Sequence, residues 1–457
     1  MIEVRSPYDG TLVGAVEECE VSRIPEVIRQ AERGSAWMRE LSVEQRAEIL
    51  KKASAALLEE KELFAELLVG EVGKVISDAR KEAERAANTL RLSAEAAYHV
   101  CGEVIPLEQE KGRRRVGFYR RVPVGIVLAI TPFNFPLNLA CHKVGPALAA
   151  GNAVIVKPAS KTPLATIKLR ELFIACGLPK EAFCVVCGSG ETLGKELAAH
   201  PAIRKISFTG SGKTGEAICK NAGIKRITME LGSTGAVVVS KTANLREVAK
   251  KLCLAGFANA GQVCISVQRV YVEESRKEAL ICEMEEFAKT IRYGNPAEET
   301  TQLGPMISHK ALENAVEKIE KSLALGAKLV LGNTWENNIL HPTILRDVPE
   351  SAPVIQEEIF APVIAVNGYR DLEDAIAKVN GTPYGLQAGI FTESIDEAML
   401  FAEKAECGGV IINDTCNYRM DQMPYGGVKN SGLGKEGPGF AVKEMTEMKM
   451  IVMNETL

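Results

Sequence analysis

At 457 residues the chain has room for two or three domains with sizeable cores, which excludes a lone small binding module. Charged residues make up 25% and hydrophobic ones 46%, so the composition is that of a globular protein and excludes disordered and collagen-like classes. The formal net charge of −4 lacks the basic excess that nucleic-acid and anionic-membrane binders use. The opening MIEVRSPYDG has neither the basic nor the apolar region of a signal peptide, and no apolar run nears the roughly 20 residues of a spanning helix. A cytoplasmic chain without membrane or nucleic-acid partners is expected.

From about Val21 to His99, apolar residues recur at spacings of three and four among Glu, Lys and Arg, which predicts a helical layer. Its clearest run is SVEQRAEILKKASAALLEEKELFAELLVGEVGK, opened by Ser42 and Glu44. From Cys101 to Pro123 the pattern becomes strand-like around a basic tip, KGRRRVGFYRRVPVG, whose arginines suit a solvated hairpin better than an anion site. Between Val124 and Gly232, short β-branched runs (GIVLAIT, NAVIVKP, FCVVCGSG, KISFTGSG, ITMELG) alternate with helical stretches such as TIKLRELFIACG. That alternation predicts a parallel sheet covered on both faces. A second β/α series runs from Ala236 to about Gly409, with AVVVS, QRVYVEE, PVIAVNGY and GGVIINDT. The Gly-rich MPYGGVKNSGLGKEGPGF then predicts a loop, and EMTEMKMIVMNETL a final strand.

Twelve scattered cysteines without an extracellular entry signal read as reduced thiols. Cys184 and Cys187 form a C-x-x-C inside the apolar run FCVVC, but no second pair or neighbouring His completes a zinc set. The five histidines show no H-x-x-x-H spacing, so no metal site is expected. The absence of G-x-S-x-G removes the common serine-hydrolase layout.

FTGSGKTGE contains Gly212-Lys213-Thr214 like the end of a P-loop, yet that motif needs Gly where Ser207 stands, which disfavours an ATPase. As Gly210-x-Gly212-x-x-Gly215, between the strand-like KISFT and a helix, the same string suits a pyrophosphate held by backbone N–H groups and a helix N-terminus. The usual dinucleotide rule would next give the ribose to Glu230, but Glu230 belongs to a different constellation.

That constellation is PFNFP (Pro132 to Pro136), NAVIVKPAS (Asn152 to Ser160), MELG (Met229 to Gly232), GQVC (Gly261 to Cys264), EEIFAPV (Glu357 to Val363) and PYGGVKNSGLGKEG (Pro424 to Gly437). In identity, order and spacing over essentially the whole chain, these motifs resemble the aldehyde dehydrogenase superfamily, closest to its lactaldehyde, succinate-semialdehyde and related small-aldehyde branch. The resemblance implies an α/β fold with a Rossmann-like cofactor domain, an α/β catalytic domain and a bridging β-flap. These are expected at 1–100 with 124–231, at 232–430, and at 101–123 with 440–457. Flaps in this family pair between subunits, so a homodimer or homotetramer is expected.

Oxidising an aldehyde to an acid needs a nucleophile, a hydride acceptor, donors for an oxyanion and a base to deliver water. By resemblance Cys264 is the nucleophile, forming a thiohemiacetal and then a thioester. Asn134 and the backbone N–H of Cys264 cradle the oxyanion, and Glu230 activates the deacylating water. Glu436 is a second acid near that water, and Lys143 a proton relay. For the nicotinamide cofactor, NAD or NADP, the resemblance implies Lys157 on the adenosine ribose and Glu358 with Phe360 on the nicotinamide ribose. Thr131, Pro132, Phe133, Gly210, Ser211 and Leu231 complete that surface. Ser160 stands where strict NAD users often carry Glu; without that acid a 2′-phosphate is not repelled, and Ser160 with Lys161 suits one. Phe133, where Trp is frequent, and Ser233-Thr234, where Gly-Lys or Gly-Gly is common, depart from the family without removing a reacting group.

Leu137, Asn138 and His142 after PFNFP, and Arg419 in NYRMDQ, fall where the family lines its aldehyde tunnel. His142 replaces the Arg of many succinate-semialdehyde enzymes, which disfavours a long dicarboxylic semialdehyde. The expected substrate is a small polar or anionic aldehyde, lactaldehyde first and glyceraldehyde-type or small semialdehydes behind it. The plain alternative for Arg419 is a surface pair with Asp421 or Asp414. Two other functions compete. A CoA-acylating dehydrogenase commonly lacks the Glu that Glu230 supplies, and a silent structural protein of the same fold would not need intact Cys264, Glu230, Asn134 and Glu358.

Overall fold

The computed structural model describes residues 1–107 and 115–454, so Lys111, Arg113 and Arg114 of the basic tip lie outside the described residues. Helices Ile24–Glu40, Val43–Glu59, Lys61–Val72 and Ile76–Ala97 form the expected helical layer. Ser42 opens the second of these with a reciprocal capping box, and its partner is Gln45 rather than Glu44.

One six-stranded sheet has the order Gly432–Leu433, Arg226–Glu230, Ile203–Thr209, Ile126–Ile130, Ala153–Lys157, Phe183–Val185. All its pairings are parallel except the first. Alternate side chains leave on opposite faces. Val127, Ala129, Val154 and Val156 join the helical layer around Leu50, Phe64 and Leu90. Ile126, Leu128, Ile155 and Phe208 build a second core on the other side. Burial on both faces is why these strands read as unbroken apolar runs.

The second series forms a seven-stranded sheet, with Ala236–Val239 between Arg269–Glu273 and Gln387–Phe391 at its centre. It too is covered on both faces, by the clusters around Val237 and Val270 and around Val238 and Tyr271. A third, antiparallel sheet orders Thr446–Asn454, Arg115–Pro123 and Glu103–Ile105. Thr446–Asn454 is an edge strand within the chain and exposes Met448, Met450 and Val452.

The Gly-rich segment predicted as a loop instead contains the short strands Val428–Lys429 and Gly432–Leu433 and the helix Pro438–Glu444. Glycine is needed at 432 for close approach: a Cβ there would stand 2.5 Å from the Met229 carbonyl oxygen. Four strands of the first sheet place Ile130, Lys157, Thr209 and Glu230 at their carboxyl ends, where parallel sheets bind ligands. All four residues line one cleft of about 560 Å³, which Val263, Cys264 and Ile265 close from the other side.

Candidate active site

Cys264 follows three consecutive left-handed residues, Asn259 (φ 50), Ala260 (φ 55) and Gly261 (φ 67). Strain of this kind persists only where surroundings over-determine it. Here the Asn259 amide donates to the carbonyls of Asn134 and Gln262 at 3.4 Å each. The Gln262 side chain donates to Asn259 and accepts from the Ile307 N–H. A Cβ at Gly261 would lie 2.0 Å from the Ala361 carbonyl oxygen, so glycine lets GQVC run directly against EEIFAPV. The Asn134 amide donates to the Gln262 carbonyl at 2.8 Å, which fixes it beside the cysteine loop.

Desolvation pushes the Cys264 thiol up to about 11, against the pull of the Tyr425 hydroxyl and the Arg419 charge. Glu230 is buried, and neither of its carboxyl oxygens has a hydrogen-bond partner among the described residues. Burial, aided by the charge of Glu436, holds this carboxyl well above the 4.5 of a free glutamate. Glu436 is the opposite case. Burial works against its charge, but Lys143 Nζ at 2.6 Å and Arg419 Nη2 at 3.1 Å outweigh it and hold it well below the ordinary range. Lys143, fully buried, also donates to the Thr209 hydroxyl at 2.7 Å.

The surface alternative for Arg419 is overturned. Its side chain is only 8% exposed, it pairs with Glu436 rather than Asp421 or Asp414, and its guanidinium lies 3.7 Å from the Tyr425 ring centroid. The reason is a main-chain pairing that sequence proximity hides: Tyr425 and Glu436 exchange N–H···O bonds of 3.2 and 2.7 Å, which returns Glu436 to the neighbourhood of Arg419. Asp421 is occupied elsewhere, accepting from Arg85 at 2.8 Å and from Asn138 at 3.3 Å, with His142 Nε2 at 3.1 Å. Burial and the Arg419 charge push the His142 pKa below the ordinary imidazole value, against the pull of Asp421 and Glu436.

At the other end, Lys157 bonds the Pro158 carbonyl, and Ser211 caps the 11-residue helix Gly212–Ala222. Glu358 accepts from the Ser233 N–H at 3.1 Å, and burial pushes its carboxyl up to about 7. Phe133 and Phe360 meet edge to face at 5.8 Å between centroids. A buried ammonium, a helix N-terminus and a buried carboxyl spaced along one cleft fit the ribose hydroxyls and pyrophosphate of a dinucleotide.

Most residues singled out in the sequence therefore come together. Thr131, Pro132, Phe133, Asn134, Asn138, Lys157, Gly210, Ser211, Glu230, Leu231, Cys264, Glu358, Phe360 and Arg419 all line the cleft. Lys143, His142 and Glu436 stand behind that lining, joined to it through Thr209 and Arg419. Ser160 is outside it, donating to the Gly188 carbonyl at 3.0 Å. Sequence reasoning missed Lys74, Glu82, Arg85, Thr209 and Tyr425. Only Tyr425 carried a signal, its place in PYGG.

Residues 1–451 match the model of the Aldehyde dehydrogenase family. A 3-sulfolactaldehyde dehydrogenase of Priestia aryabhattai is 46% identical over 411 residues, 90% of this chain and 86% of that protein. A lactaldehyde dehydrogenase of Methanococcus aeolicus is 38% identical over 458 residues, 99% of this chain and 97% of that protein. The crystal structure of glyceraldehyde-3-phosphate dehydrogenase GapN from Methanocaldococcus jannaschii, complexed with NADP, has a TM-score of 0.96 at 39% identity, covering 100% of this chain and 99% of that one. With the motifs gathered around one cleft and the match running nearly end to end, the chain belongs to the aldehyde dehydrogenase family.

Proposed function

We propose that this NAD(P)-dependent aldehyde dehydrogenase converts a short polar or anionic aldehyde, lactaldehyde-like or a small semialdehyde, to the free carboxylic acid. Cys264 is the nucleophile, Asn134 and the Cys264 N–H hold the oxyanion, and Glu230 is the base of deacylation. The observation that carries this reading is a thiol and a buried, unpartnered carboxyl on one cleft, with a pinned amide beside the thiol.

Cys264, as thiolate, attacks the carbonyl carbon, and the carbonyl oxygen gains the charge. An Asn amide carries two N–H groups, and the bond to Gln262 leaves the second for that oxygen. The thiohemiacetal becomes a thioester as its C–H bond breaks and the C=O bond re-forms, and a nicotinamide cofactor, when bound, would supply the acceptor for that hydride. Lys157, Gly210 and Ser211 would hold its adenosine and pyrophosphate part, and Glu358 its nicotinamide ribose. Thr131, Pro132, Phe133, Leu231 and Phe360 would supply the walls. Glu230 then takes a proton from water, the hydroxide adds to the thioester, and the C–S bond breaks to return the Cys264 thiolate and release the acid. Lys143 is the proton relay behind Glu230, and Glu436, held ionised by Lys143 and Arg419, is the second acid near that water. This role for Glu230 favours water over CoA as the acyl acceptor.

Arg419 supports a polar or anionic substrate: it lines the cleft, and its buried Nε–H has no partner among the described residues. The names of the relatives, which concern sulfolactaldehyde and lactaldehyde, point the same way. Asn138, which lines the cleft, offers its amide to the substrate, and His142 acts through Arg419. The uncharged Ser160 admits NADP alongside NAD, in line with the NADP bound by the M. jannaschii enzyme.

The three larger sheets support domain limits at 1–100 with 124–231, 232–430, and 101–123 with 440–457, although strand Gly432–Leu433, which joins the first sheet, falls outside all of these ranges. The exposed apolar edge of Thr446–Asn454 suits pairing with a second copy, hence a homodimer or homotetramer. None of the cysteines is in a disulfide, which suits the reducing cytoplasm, and among the described residues no helix is long and apolar enough to cross a membrane.

The test follows reduced cofactor by absorbance with lactaldehyde, hexanal and benzaldehyde, with either nicotinamide, with and without CoA. Wild type is expected to prefer lactaldehyde and to need no CoA, Arg419→Ala to lose that preference, and Cys264→Ala to bind cofactor without turning over. Substantial turnover by Cys264→Ala, or an absolute CoA requirement, would sink the reading.

A further inference from the structure

Tyr425 is fully buried in a small apolar cluster with Val263, Ile265 and Leu386, packed against Phe135 and Cys264. Packing alone asks for a ring there, and phenylalanine would supply one. The hydroxyl is the unexplained atom. It lies 3.0 Å from Cys264 Sγ, and the Arg419 guanidinium lies over the ring of the same side chain, 3.7 Å from its centroid.

We propose that Tyr425 is a further catalytic residue, whose hydroxyl donates a hydrogen bond to the Cys264 thiolate while the Arg419 cation on its ring strengthens that donor. The proposal rests on Cys264 being the nucleophile. In the resting thiol either atom can donate, but once the sulfur has lost its proton to solvent only the phenol can. The phenol keeps its proton throughout, because burial pushes it well above 10. The charged and titratable groups around the sulfur are Tyr425, Arg419, Glu358 and Glu230. The two carboxyls disfavour a thiolate and the other two favour it, so removing the hydroxyl takes away one of the groups that support the charge.

The experiment measures alkylation of Cys264 by iodoacetamide against pH, read on the Cys264 peptide by mass spectrometry, in wild type and Tyr425→Phe. The variant's profile is expected to move to higher pH, with alkylation at neutral pH about tenfold or more slower, the range of a hydrogen bond to a charged group. The pre-steady-state burst of reduced cofactor slows by a similar factor while the KM for aldehyde stays. Replacing Tyr425 with 3-fluorotyrosine, a more acidic donor of nearly the same shape, moves the profile to lower pH. It also decides the matter should the Phe variant fold poorly, as judged by melting and cofactor binding. An unchanged or oppositely shifted profile overturns the role of Tyr425 and leaves Cys264 untouched. Full turnover by enzyme alkylated at Cys264 overturns the nucleophile instead.

Discussion

Two carboxyls within one site are pushed in opposite directions by their neighbours. Glu436 is clamped between two cations and stays ionised, whereas Glu230 has no hydrogen-bond partner among the described residues and resists ionisation. A base works only when deprotonated, so deacylation should climb with pH well past the 4.5 of a free glutamate and be lost as pH falls. Glu230→Gln should release one burst of reduced cofactor and then stall, since acylation needs the thiolate and deacylation the base. A variant with the wild-type steady-state rate would move that role to another group. On cofactor choice, Ser160→Glu places a negative charge beside the cleft-lining Ala159, where it repels a 2′-phosphate. The ratio of kcat/KM for NAD over NADP should rise about tenfold or more, the equivalent of one modest charge interaction. A wild type that ignores NADP altogether removes the premise.

At the scale of elements, the loop carrying Asn134 is held by a helix that the sequence presents as plain scaffold. Glu82 accepts from the N–H groups of Leu137 and Asn138, buried donors at the start of helix Asn138–Ala149 that lack a partner within the helix. It is also paired with Lys74, which donates to the Asn134 carbonyl at 2.8 Å and sits 3.6 Å from the Phe135 ring centroid. Both charges are completely buried, so Lys74→Met, which leaves one of them unpaired, should cost about 3–5 kcal/mol and lower kcat along with it. Denaturant melting and turnover check this, and a wild-type melting curve would refute it. Lys74 and Glu82 were illegible in the sequence because charged residues in an amphipathic pattern look like a solvated face, and their partners lie some 55 to 60 positions away. By contrast, the strands were legible because burial on both faces leaves a run such as AVIV, Ala153 to Val156, nothing polar. Cys264, Glu230 and Asn134 were legible because each is embedded in a motif whose neighbours are fixed by contact, as Gly261 is by Ala361. Segment 424–437 misled for the same reason: its glycines serve close approach, not looseness.

Across the whole molecule, the cofactor sheet and the flap are both completed by the last part of the chain. Thr446–Asn454 pairs along its length with Arg115–Pro123, and its other edge, with Met448, Met450 and Val452 exposed, is where the proposed homo-oligomer would pair. Alternate residues share a face, so Met450→Lys with Val452→Lys sets charge in that patch. Light scattering should then show a smaller assembly, while an unchanged mass would place the interface elsewhere. The clasp at Ser431–Leu433 has its own consequence. Leu231 donates to the Ser431 carbonyl, the Ser431 hydroxyl to Gly232 across 199 positions, and Gly432 pairs with Glu230. During synthesis the strand of Glu230 waits with one edge bare until the segment 199 positions beyond Gly232 has left the ribosome. That edge is therefore closed only after Cys264 and Glu358 have been made, and a chain terminated before Ser431 has a sheet with an unfinished edge beside Glu230.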